Sequence, residues 1–276
     1  MLRVAGHKGM TLAIDAAGHS QNPPVIFLHG GGQTRHAWGE ALQVLAEQNY
    51  FAVTADLRGH GDSDWDPNGD YTLASFAGDV TELCRHFAQK PILVGASMGG
   101  LSALLAVANC PEIAKALILV DIVPKVNMEG AMQIRDFMIA NSDGFASLEA
   151  AAAAIADYTP HRKRTKNPEG LKKNLRLKED GRYYWHWDPA FMSMENASNP
   201  FTDLEQKLRH VTMPTLLVRG EKSDIVDDEG VAHFREILPQ AQYVKVAGAA
   251  HMIAGDSNQQ FNQVVLDFLQ HCFAND

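Results

Sequence analysis

A serine flanked by glycines is the first feature of this sequence that could carry out chemistry. The segment Gly95–Gly99 reads Gly-Ala-Ser-Met-Gly, and it lies between the apolar run 91–94 and a helical pattern. In such a strand-to-helix turn, the small neighbours let the serine hydroxyl stand above the end of the sheet. Ser97 is therefore the candidate nucleophile of an acyl-transfer reaction.

A serine hydroxyl needs a base within hydrogen-bond reach, and a carboxylate must orient that base. His251 follows the apolar run 243–246, and Asp224 follows the run 215–218. The acid is expected after a strand later than that of the nucleophile, and the histidine after one later still. This order predicts Ser97, Asp224 and His251 as the catalytic set.

Two backbone N–H groups could stabilise the negative charge that develops on the carbonyl oxygen. Met98 begins the helix after Ser97, and Gly31 lies in the loop His29–Gly32 after the run 25–28. We predict that these two N–H groups form the oxyanion hole. The sequence holds no His-Glu-x-x-His or similar ligand spacing, which predicts that the protein uses neither a metal nor a cofactor.

Strand and helix patterns alternate along most of the chain. Leu2–Ala5 and Met10–Ile14 predict a hairpin, and buried-type strands are predicted at 25–28, 51–55, 92–94, 117–120, 215–218 and 243–246. Apolar stripes or helical signals predict helices at 38–48, 76–87, 98–108, 229–238 and 261–269. The expected fold class is α/β, with about eight strands in a mostly parallel sheet that has helices on both faces.

The alternation is interrupted between Asp121 and Pro214, where the signals are helical or irregular. We expect residues 1–121 and 214–276 to form the core domain and residues 122–213 an inserted helical cap above the carboxyl ends of the strands. Trp185, Trp187 and Tyr184 are candidate substrate contacts in this cap. Packing of the cap onto the core explains these aromatic side chains equally well.

Taken in order, these motifs resemble the α/β-hydrolase superfamily. The resemblance rests on the segments His29–Gly32, Asp56–Ser63, Gly95–Gly99, Arg219–Asp224 and Gly248–His251. It implies an α/β-hydrolase fold with an inserted cap. Some members take the orienting acid from the end of an earlier strand, which makes Asp121 the alternative triad acid. Strand order and the match of the segment that ends at Asp224 favour Asp224.

Within that superfamily the chain looks most like the capped branch. Epoxide hydrolases and haloalkane dehalogenases attack with an aspartate, whereas this turn carries Ser97. Carbon–carbon bond hydrolases typically have Asn before the serine and Trp after the histidine, but here these positions are Ala96 and Met252. The resemblance therefore implies a cofactor-independent serine hydrolase, carboxylesterase-like, that cleaves a small carboxylic ester, lactone or thioester.

Three alternatives stay open. A carbon–carbon bond hydrolase of diketone-type substrates and a perhydrolase have the same fold. A ligand-sensing receptor that keeps a slow hydrolase site belongs to another class of protein, and it would show very slow turnover and strong stabilisation by its ligand.

Composition limits the partners and the compartment. The 276 residues include 24 Lys plus Arg and 33 Asp plus Glu, and the net charge of −9 disfavours nucleic acid. Three widely spaced cysteines and the absence of a long apolar run predict a cytoplasmic protein that is neither secreted nor inserted in a membrane. We expect a monomer or homodimer whose partners are a small ester-type substrate and water.

Overall fold

A computed structural model describes residues 1–158, 167–193, 203–251, 253 and 258–273. Its main element is an eight-stranded sheet with the strand order β1-β2-β4-β3-β5-β6-β9-β10. The strands of this sheet are β1 (Leu2–Ala5), β2 (Thr11–Ala17), β3 (Pro24–Leu28), β4 (Phe51–Ala55), β5 (Ile92–Ala96), β6 (Ala116–Val120), β9 (Thr215–Gly220) and β10 (Gln242–Val246). A separate pair consists of β7 (Leu175–Leu177) and β8 (Tyr183–Trp185).

Eight α-helices connect or cover these strands in the described residues. They are α1 (Gly39–Glu47), α2 (Leu73–Arg85), α3 (Met98–Asn109), α4 (Met128–Ala140), α5 (Leu148–Tyr158), α6 (Leu204–Leu208), α7 (Asp228–Ile237) and α8 (Asn258–Phe273). Asp227 caps α7, accepting a hydrogen bond from the Gly230 N–H at 2.7 Å. None of the described helices combines the length and the apolar composition needed to cross a bilayer.

The sheet is parallel from β4 to β10, and only β2 runs against its two neighbours. Every residue of β3 and β6 is buried. A strand covered on both faces reads as an uninterrupted apolar run, which is why these strands could be predicted from the sequence. Because parallel strands end at the same edge, the loops after β3, β4, β5, β6, β9 and β10 all meet there.

Side chains alternate between the two faces of the sheet. Val25 and Phe27 of β3 pack with α1 and α8 on one face, while Ile26 and Leu28 pack with α2, α3 and α7 on the other. Trp38 is 1% exposed and lies between Phe27 and Phe261, with ring centroids 5.3 and 5.5 Å away. The sheet and its helices thus form one framework, which holds the loops at the strand ends in place.

The fold agrees with the α/β prediction, and most predicted boundaries shift by one to three residues. β2 is longer than expected, and α2 ends at Arg85, so Phe87 lies beyond the helix although it still packs against the core. In α2, the buried Phe76, Val80 and Leu83 form the predicted stripe.

The segment 122–213 differs from a purely helical cap. It contains α4 and α5, but its aromatic run forms β8, which pairs with β7 in an antiparallel hairpin. Phe145, Leu148, Ala151 and Leu175 form a small apolar cluster of their own. By contrast, Leu204 and Leu208 of α6 are buried in the main core. Helical and irregular signals did not reveal the hairpin because each of its strands has only three residues.

Candidate active site

Ser97 occupies the turn between β5 and α3 in a strained backbone conformation. Its φ is 47° and its ψ is −117°. L-residues rarely adopt such angles, which cost about 1–3 kcal/mol and persist only where the surroundings impose them. The Ser97 N–H donates to the Val120 carbonyl at 3.3 Å, which ties the turn to the end of β6. Its hydroxyl has no hydrogen-bond partner among the described residues.

Close backbone packing explains the glycines around Ser97. A Cβ on Gly99 would lie 2.5 Å from the Leu28 carbonyl oxygen, and a Cβ on Gly95 would lie 2.6 Å from the Gly100 nitrogen. Real Cβ atoms do not come so close to backbone atoms. Only glycine at these positions lets α3 start directly beside β3 and β5, which leaves Ser97 at the top of the sheet.

Asp121, directly after β6, is the carboxylate that faces His251. Its Oδ2 lies 2.7 Å from the Nδ1 of His251. The Gly220 N–H donates to Oδ1 at 2.9 Å, and the Ser223 hydroxyl donates to Oδ2 at 2.5 Å. Asp121 is fully buried and, like Ser97, has a positive φ, here 51°. With Nδ1 held by the carboxylate, the Nε2 of His251 remains for another partner.

The expectation that Asp224 would orient His251 is therefore corrected. Asp224 is exposed, and its backbone oxygen packs at the start of α4, where a Cβ on Gly130 would come within 2.3 Å. Burial raises the pKa of Tyr158 in α5 to about 12, and the charge of Asp224 adds to this effect. Ser223, not Asp224, is the residue of this loop that reaches Asp121, and its hydroxyl also accepts from the N–H groups of Ile225 and Val226.

The two predicted oxyanion donors lie on either side of Ser97. Met98 N–H is in the first turn of α3, where no acceptor inside the helix exists. In the loop after β3, the Gly30 N–H donates to Gln33 Oε1 at 3.0 Å and the Gly32 N–H donates to His60 Nε2 at 3.1 Å. Between them, the Gly31 N–H has no acceptor among the described residues.

The His60 side chain stabilises the loop after β3 that contains Gly31. Because Nε2 accepts from the Gly32 N–H, Nδ1 carries the proton and donates to the Arg58 carbonyl at 3.0 Å. Burial, with a smaller effect from His29, lowers the pKa of His60 to about 3. The ring is thus neutral near pH 7, which its role as an acceptor requires.

His29 makes a similar pair of contacts. Its Nε2 accepts from the Leu57 N–H at 3.0 Å, and its Nδ1–H donates to the Gly30 carbonyl at 2.8 Å. Burial lowers the pKa of His29 to about 4. Both histidines therefore act as neutral hydrogen-bonding groups that stabilise loop backbone.

Asp56 and Arg58 brace the loop after β4. Asp56 accepts from the backbone N–H and the guanidinium of Arg35 and from the Asp62 N–H. Arg58 is fully buried and donates through Nε and Nη2 to Asp79 at 2.6 and 2.8 Å. Asp56 is paired with Arg35 and Arg58 with Asp79, so both serve as internal supports.

Three side chains of the cap segment border the loop that contains Gly31. Phe191 Cζ would lie 3.6 Å from a Cβ on Gly31. For a Cβ on Gly32, Met138 Cε would lie at 3.0 Å and Trp187 Nε1 at 3.7 Å. Cap and core thus meet beside Ser97, whose Cβ would lie 3.3 Å from a Cβ on Gly30.

Backbone pairing attaches this part of the cap to the core. Residues His60 and Trp187 form an isolated antiparallel bridge. Two hydrogen bonds of 2.7 Å flank it, from Gly61 N to His186 O and from Asp188 N to Gly59 O. The Tyr71 hydroxyl adds a side-chain contact, donating to Asp188 Oδ2 at 2.5 Å.

The other two predicted substrate contacts have different surroundings. Trp185 packs against Phe145 and Phe137, with centroids 5.2 and 6.0 Å away, and so belongs to the apolar cluster of the cap. The Tyr184 hydroxyl donates to Asp180 at 2.7 Å, and the Lys178 ammonium lies 4.0 Å from its ring centroid. Tyr184 is thus paired with exposed charged residues.

Sequence reasoning missed several residues that the structure places at the site. Ser223 lies in the loop that drew attention to Asp224, but nothing in its local pattern marks it. Gln33 and Met138 carry no motif at all. Phe191 was only one of several aromatic residues in a dense stretch. Within the described residues, no group of three or more His, Cys, Asp or Glu side chains could hold a metal ion.

Comparison with known proteins identifies the family of this fold. The profile of the alpha/beta hydrolase fold family matches residues 23–257. Esterase Rv0045c from Mycobacterium tuberculosis is 28% identical over 255 residues, which cover 88% of this chain and 81% of that protein. The 2-(acetamidomethylene)succinate hydrolase of Mesorhizobium japonicum is 27% identical over 253 residues, with 90% and 88% covered.

Solved structures show the same similarity in three dimensions. The crystal structure of E-2-(acetamidomethylene)succinate hydrolase superposes with a TM-score of 0.85 at 26% identity, and 98% of each chain is covered. A parallel sheet with a serine on its strand-to-helix turn defines the class of protein. The chain belongs to the α/β-hydrolase family.

Proposed function

We propose that the protein cleaves small carboxylic esters through an acyl-enzyme formed on Ser97. The observation that carries this proposal is the contact between His251 Nδ1 and Asp121 Oδ2 at 2.7 Å, at the strand edge where Ser97 stands in its strained turn. Asp121 belongs in the catalytic set as the orienting acid, in place of Asp224.

The reaction begins when the Ser97 Oγ attacks the ester carbonyl carbon. The hydroxyl proton moves to Nε2 of His251, and Asp121 stabilises the imidazolium that results. When the carbon–oxygen bond to the alcohol breaks, the imidazolium returns the proton to the leaving oxygen. Water then attacks the acyl-enzyme with the same base, releasing the acid. Catalytic hydrogen bonds are often long in the free enzyme and shorten once substrate binds, so Ser97 needs no partner in this state.

The oxyanion of each tetrahedral intermediate is bound by the N–H groups of Gly31 and Met98. Both are backbone donors at positions set by the framework, so they need no rearrangement during the reaction. Removal of one such donor typically raises the barrier by about 3–4 kcal/mol. His60 supports this hole indirectly, because its ring holds the Gly32 N–H next to Gly31.

The enzyme acts on ester bonds, in keeping with its similarity to an esterase at 28% identity. Phe191, Met138 and Trp187 form the described cap side of the site, which suits a small, largely apolar acyl or alcohol group. Lactones and thioesters present the same carbonyl to Ser97 and belong to the same proposed range. Trp185 and Tyr184 are left out of the binding surface because their contacts are with other cap residues.

Labelling with a fluorophosphonate probe tests the nucleophile, followed by assays with p-nitrophenyl esters of increasing acyl length. We expect one label per chain, on Ser97, and ester turnover that falls at least 1,000-fold in Ser97→Ala, on the order of the loss seen when a triad member is removed. Ser102→Ala is the matched control, because the Ser102 hydroxyl donates to the Met98 carbonyl inside α3. Labelling that persists in Ser97→Ala would falsify the assignment.

A second candidate reaction follows from the similarity to 2-(acetamidomethylene)succinate hydrolase over 98% of both chains. The substrate named for that enzyme is therefore included in the assay beside the esters. If kcat/KM for this substrate exceeds the values for all the esters, hydrolysis of this substrate becomes the preferred function. Lactones and vinylogous diketones complete the set, since the latter would reveal carbon–carbon bond cleavage.

Organisation and location follow as part of the proposal. We assign residues 1–121 and 214–276 to the catalytic core and residues 122–213 to a cap that shapes the substrate site, with α6 as a cap segment that packs onto the core. Cys84, Cys110 and Cys272 are free thiols, which suits the reducing cytoplasm. The enzyme works as a monomer or homodimer with a small ester and water as its partners.

A further inference from the structure

Trp187 carries a buried polar group that the proposed reaction does not use. Its side chain is 5% exposed, and its Nε1 has no hydrogen-bond partner among the described residues. An indole N–H can only donate, and a buried donor without an acceptor is unfavourable. Such a group at the edge of an active site therefore indicates a partner that arrives with the substrate.

The position of this N–H relates it directly to the oxyanion hole. Nε1 lies 3.7 Å from the place where a Cβ on Gly32 would stand, and Gly32 follows the proposed donor Gly31. Consecutive Cα atoms are about 3.8 Å apart, so Nε1 lies within roughly 9 Å of the Gly31 Cα. This distance is within reach of a substrate whose carbonyl oxygen lies in the hole and whose chain extends toward the cap.

The backbone around Trp187 is held in place. Its bridge with His60 and the flanking hydrogen bonds connect residues 186–188 to residues 59–61. Its ring also packs against Phe191, with centroids 6.2 Å apart at 79°. The N–H is thus presented from a preorganised position, which a specific contact to a ligand requires.

Other buried nitrogens without a described partner lie elsewhere. Trp38 Nε1 is inside the core between Phe27 and Phe261, and Trp185 Nε1 is in the apolar cluster of the cap. His186 Nε2 lies 3.9 Å from Asp62, away from Gly31. Arg219 Nε lies on β9, which β5 and β6 separate from β3. Of these nitrogens in the described part of the chain, Trp187 Nε1 is the one beside the loop of the oxyanion hole.

We propose that Trp187 donates a hydrogen bond to a second oxygen of the substrate, so that the enzyme prefers esters with an oxo or ether oxygen roughly three to five bonds from the scissile carbonyl carbon. This rests on the proposed ester hydrolysis at Ser97. Phe191 packs against the Trp187 ring, and Met138 and Trp187 Nε1 both approach Gly32; these residues carry no charge and favour a neutral oxygen over a carboxylate. Trp187 is thereby a specificity-determining residue.

The test compares esters that differ only at that oxygen. p-Nitrophenyl 4-oxopentanoate is paired with the 4-methylpentanoate, and the 5-oxohexanoate with the 5-methylhexanoate, each corrected for spontaneous hydrolysis. We expect wild-type kcat/KM to favour the oxo ester of at least one pair by about tenfold, as sites built around a hydrogen bond do. Trp187→Phe keeps an aromatic ring without the N–H, and it removes this preference.

Trp38→Phe is the matched control, because it deletes an unpaired indole N–H in the core and should leave the preference unchanged. A second measurement does not depend on turnover. In the Ser97→Ala background, calorimetry compares binding of 4-oxopentanamide and 4-methylpentanamide, and we expect the oxo compound to bind about tenfold more tightly only while Trp187 is present.

The outcomes separate the two proposals. If wild type and Trp187→Phe both hydrolyse the esters with the same preference for the oxo ester, the role of Trp187 is overturned, while the proposal of ester hydrolysis stands. A Trp187-dependent binding preference without ester turnover overturns ester hydrolysis and supports the subsite. If wild-type protein neither hydrolyses the esters nor distinguishes the amides, the inference about Trp187 is wrong.

Discussion

At the scale of single residues, two acids lie near the catalytic loop, but they have different surroundings. Asp121 is buried and accepts from Gly220, Ser223 and His251, while Asp224 is exposed beside the cap helices. A carboxylate can orient an imidazole only through a direct hydrogen bond. Position and contacts therefore favour the acid after β6 as the orienting residue of the proposed mechanism.

We predict that Asp121→Asn lowers kcat for a p-nitrophenyl ester by about 10⁴-fold, because the amide cannot hold the imidazole in the tautomer that accepts the serine proton. Asp224→Asn is the matched change four residues after Gly220, and it should alter kcat less than threefold. Both are measured at saturating substrate, with circular dichroism and urea unfolding as checks on folding. A large loss in Asp224→Asn with little in Asp121→Asn would return the role to Asp224.

The sequence identified both acids as candidates, and strand order favoured Asp224, whereas the contacts favour Asp121. Each follows a strand that ends at the same edge, and the outcome depends on how far each loop reaches. Ser97 and His251 were easier to predict, because a Gly-x-Ser-x-Gly turn and a histidine after the last strand have few other readings. The strain at Asp121, with φ of 51°, leaves no trace in residue type.

At the scale of elements, the start of α3 is the point where α3, β5 and β3 meet. α3 leaves β5 so closely that Gly99 lies against the end of β3. This packing is what places the Met98 N–H and the Gly31 N–H on the same carbonyl oxygen in the proposed mechanism. The same packing therefore determines both the stability of the turn and the geometry of the site.

We predict that Gly99→Ala lowers the free energy of unfolding by at least about 2 kcal/mol, because its Cβ would meet backbone atoms that cannot move aside. Gly39→Ala is the control. Gly39 has helical angles in α1 and nothing within 4 Å of its Cβ position, so alanine should be neutral or stabilising by up to about 1 kcal/mol. Urea unfolding of both variants measures the difference, and equal stabilities would contradict the packing argument.

Elements differ in how well the sequence predicts them. The buried parallel strands are apolar runs bounded by turns, and the helices of the core have clear stripes, so their order was evident. β7 reads Leu-Arg-Leu and β8 reads Tyr-Tyr-Trp, and a pattern of three positions is too short to distinguish from a loop. Their pairing depends on Phe145, which bridges Tyr183 from another part of the cap.

At the scale of the whole molecule, the neutral histidines beneath the site link stability to pH. Burial lowers the pKa of His60 to about 3 and that of His29 to about 4, whereas an unfolded histidine titrates near 6.5. Above pH 6.5 both states hold neutral rings. As the pH falls below 6.5, only the unfolded chain takes up these protons, so the folded state loses stability progressively until the folded values are reached.

We predict that His29 and His60 together lower the free energy of unfolding by about 4 kcal/mol between pH 7 and pH 5, about 2 kcal/mol for each histidine. His60→Gln keeps an acceptor for the Gly32 N–H but cannot take up a proton, so its fall should be about 2 kcal/mol smaller. His19→Gln changes a ring that is exposed in the folded protein and should keep the wild-type fall. Urea titrations at the two pH values measure each loss, and a wild-type slope in His60→Gln would refute the linkage.

The contacts that complete the site also have a kinetic consequence. Tyr71 meets Asp188 across 117 residues of chain, and Asp121 meets His251 across 130. Contacts between such distant positions form late, because the entropy of the intervening loop must be lost first. All four residues lie in loops outside the helices and strands, unlike the paired residues of the central sheet. Local opening at these two contacts therefore separates catalysis from folding, and dilute denaturant can silence the enzyme while its sheet is still intact.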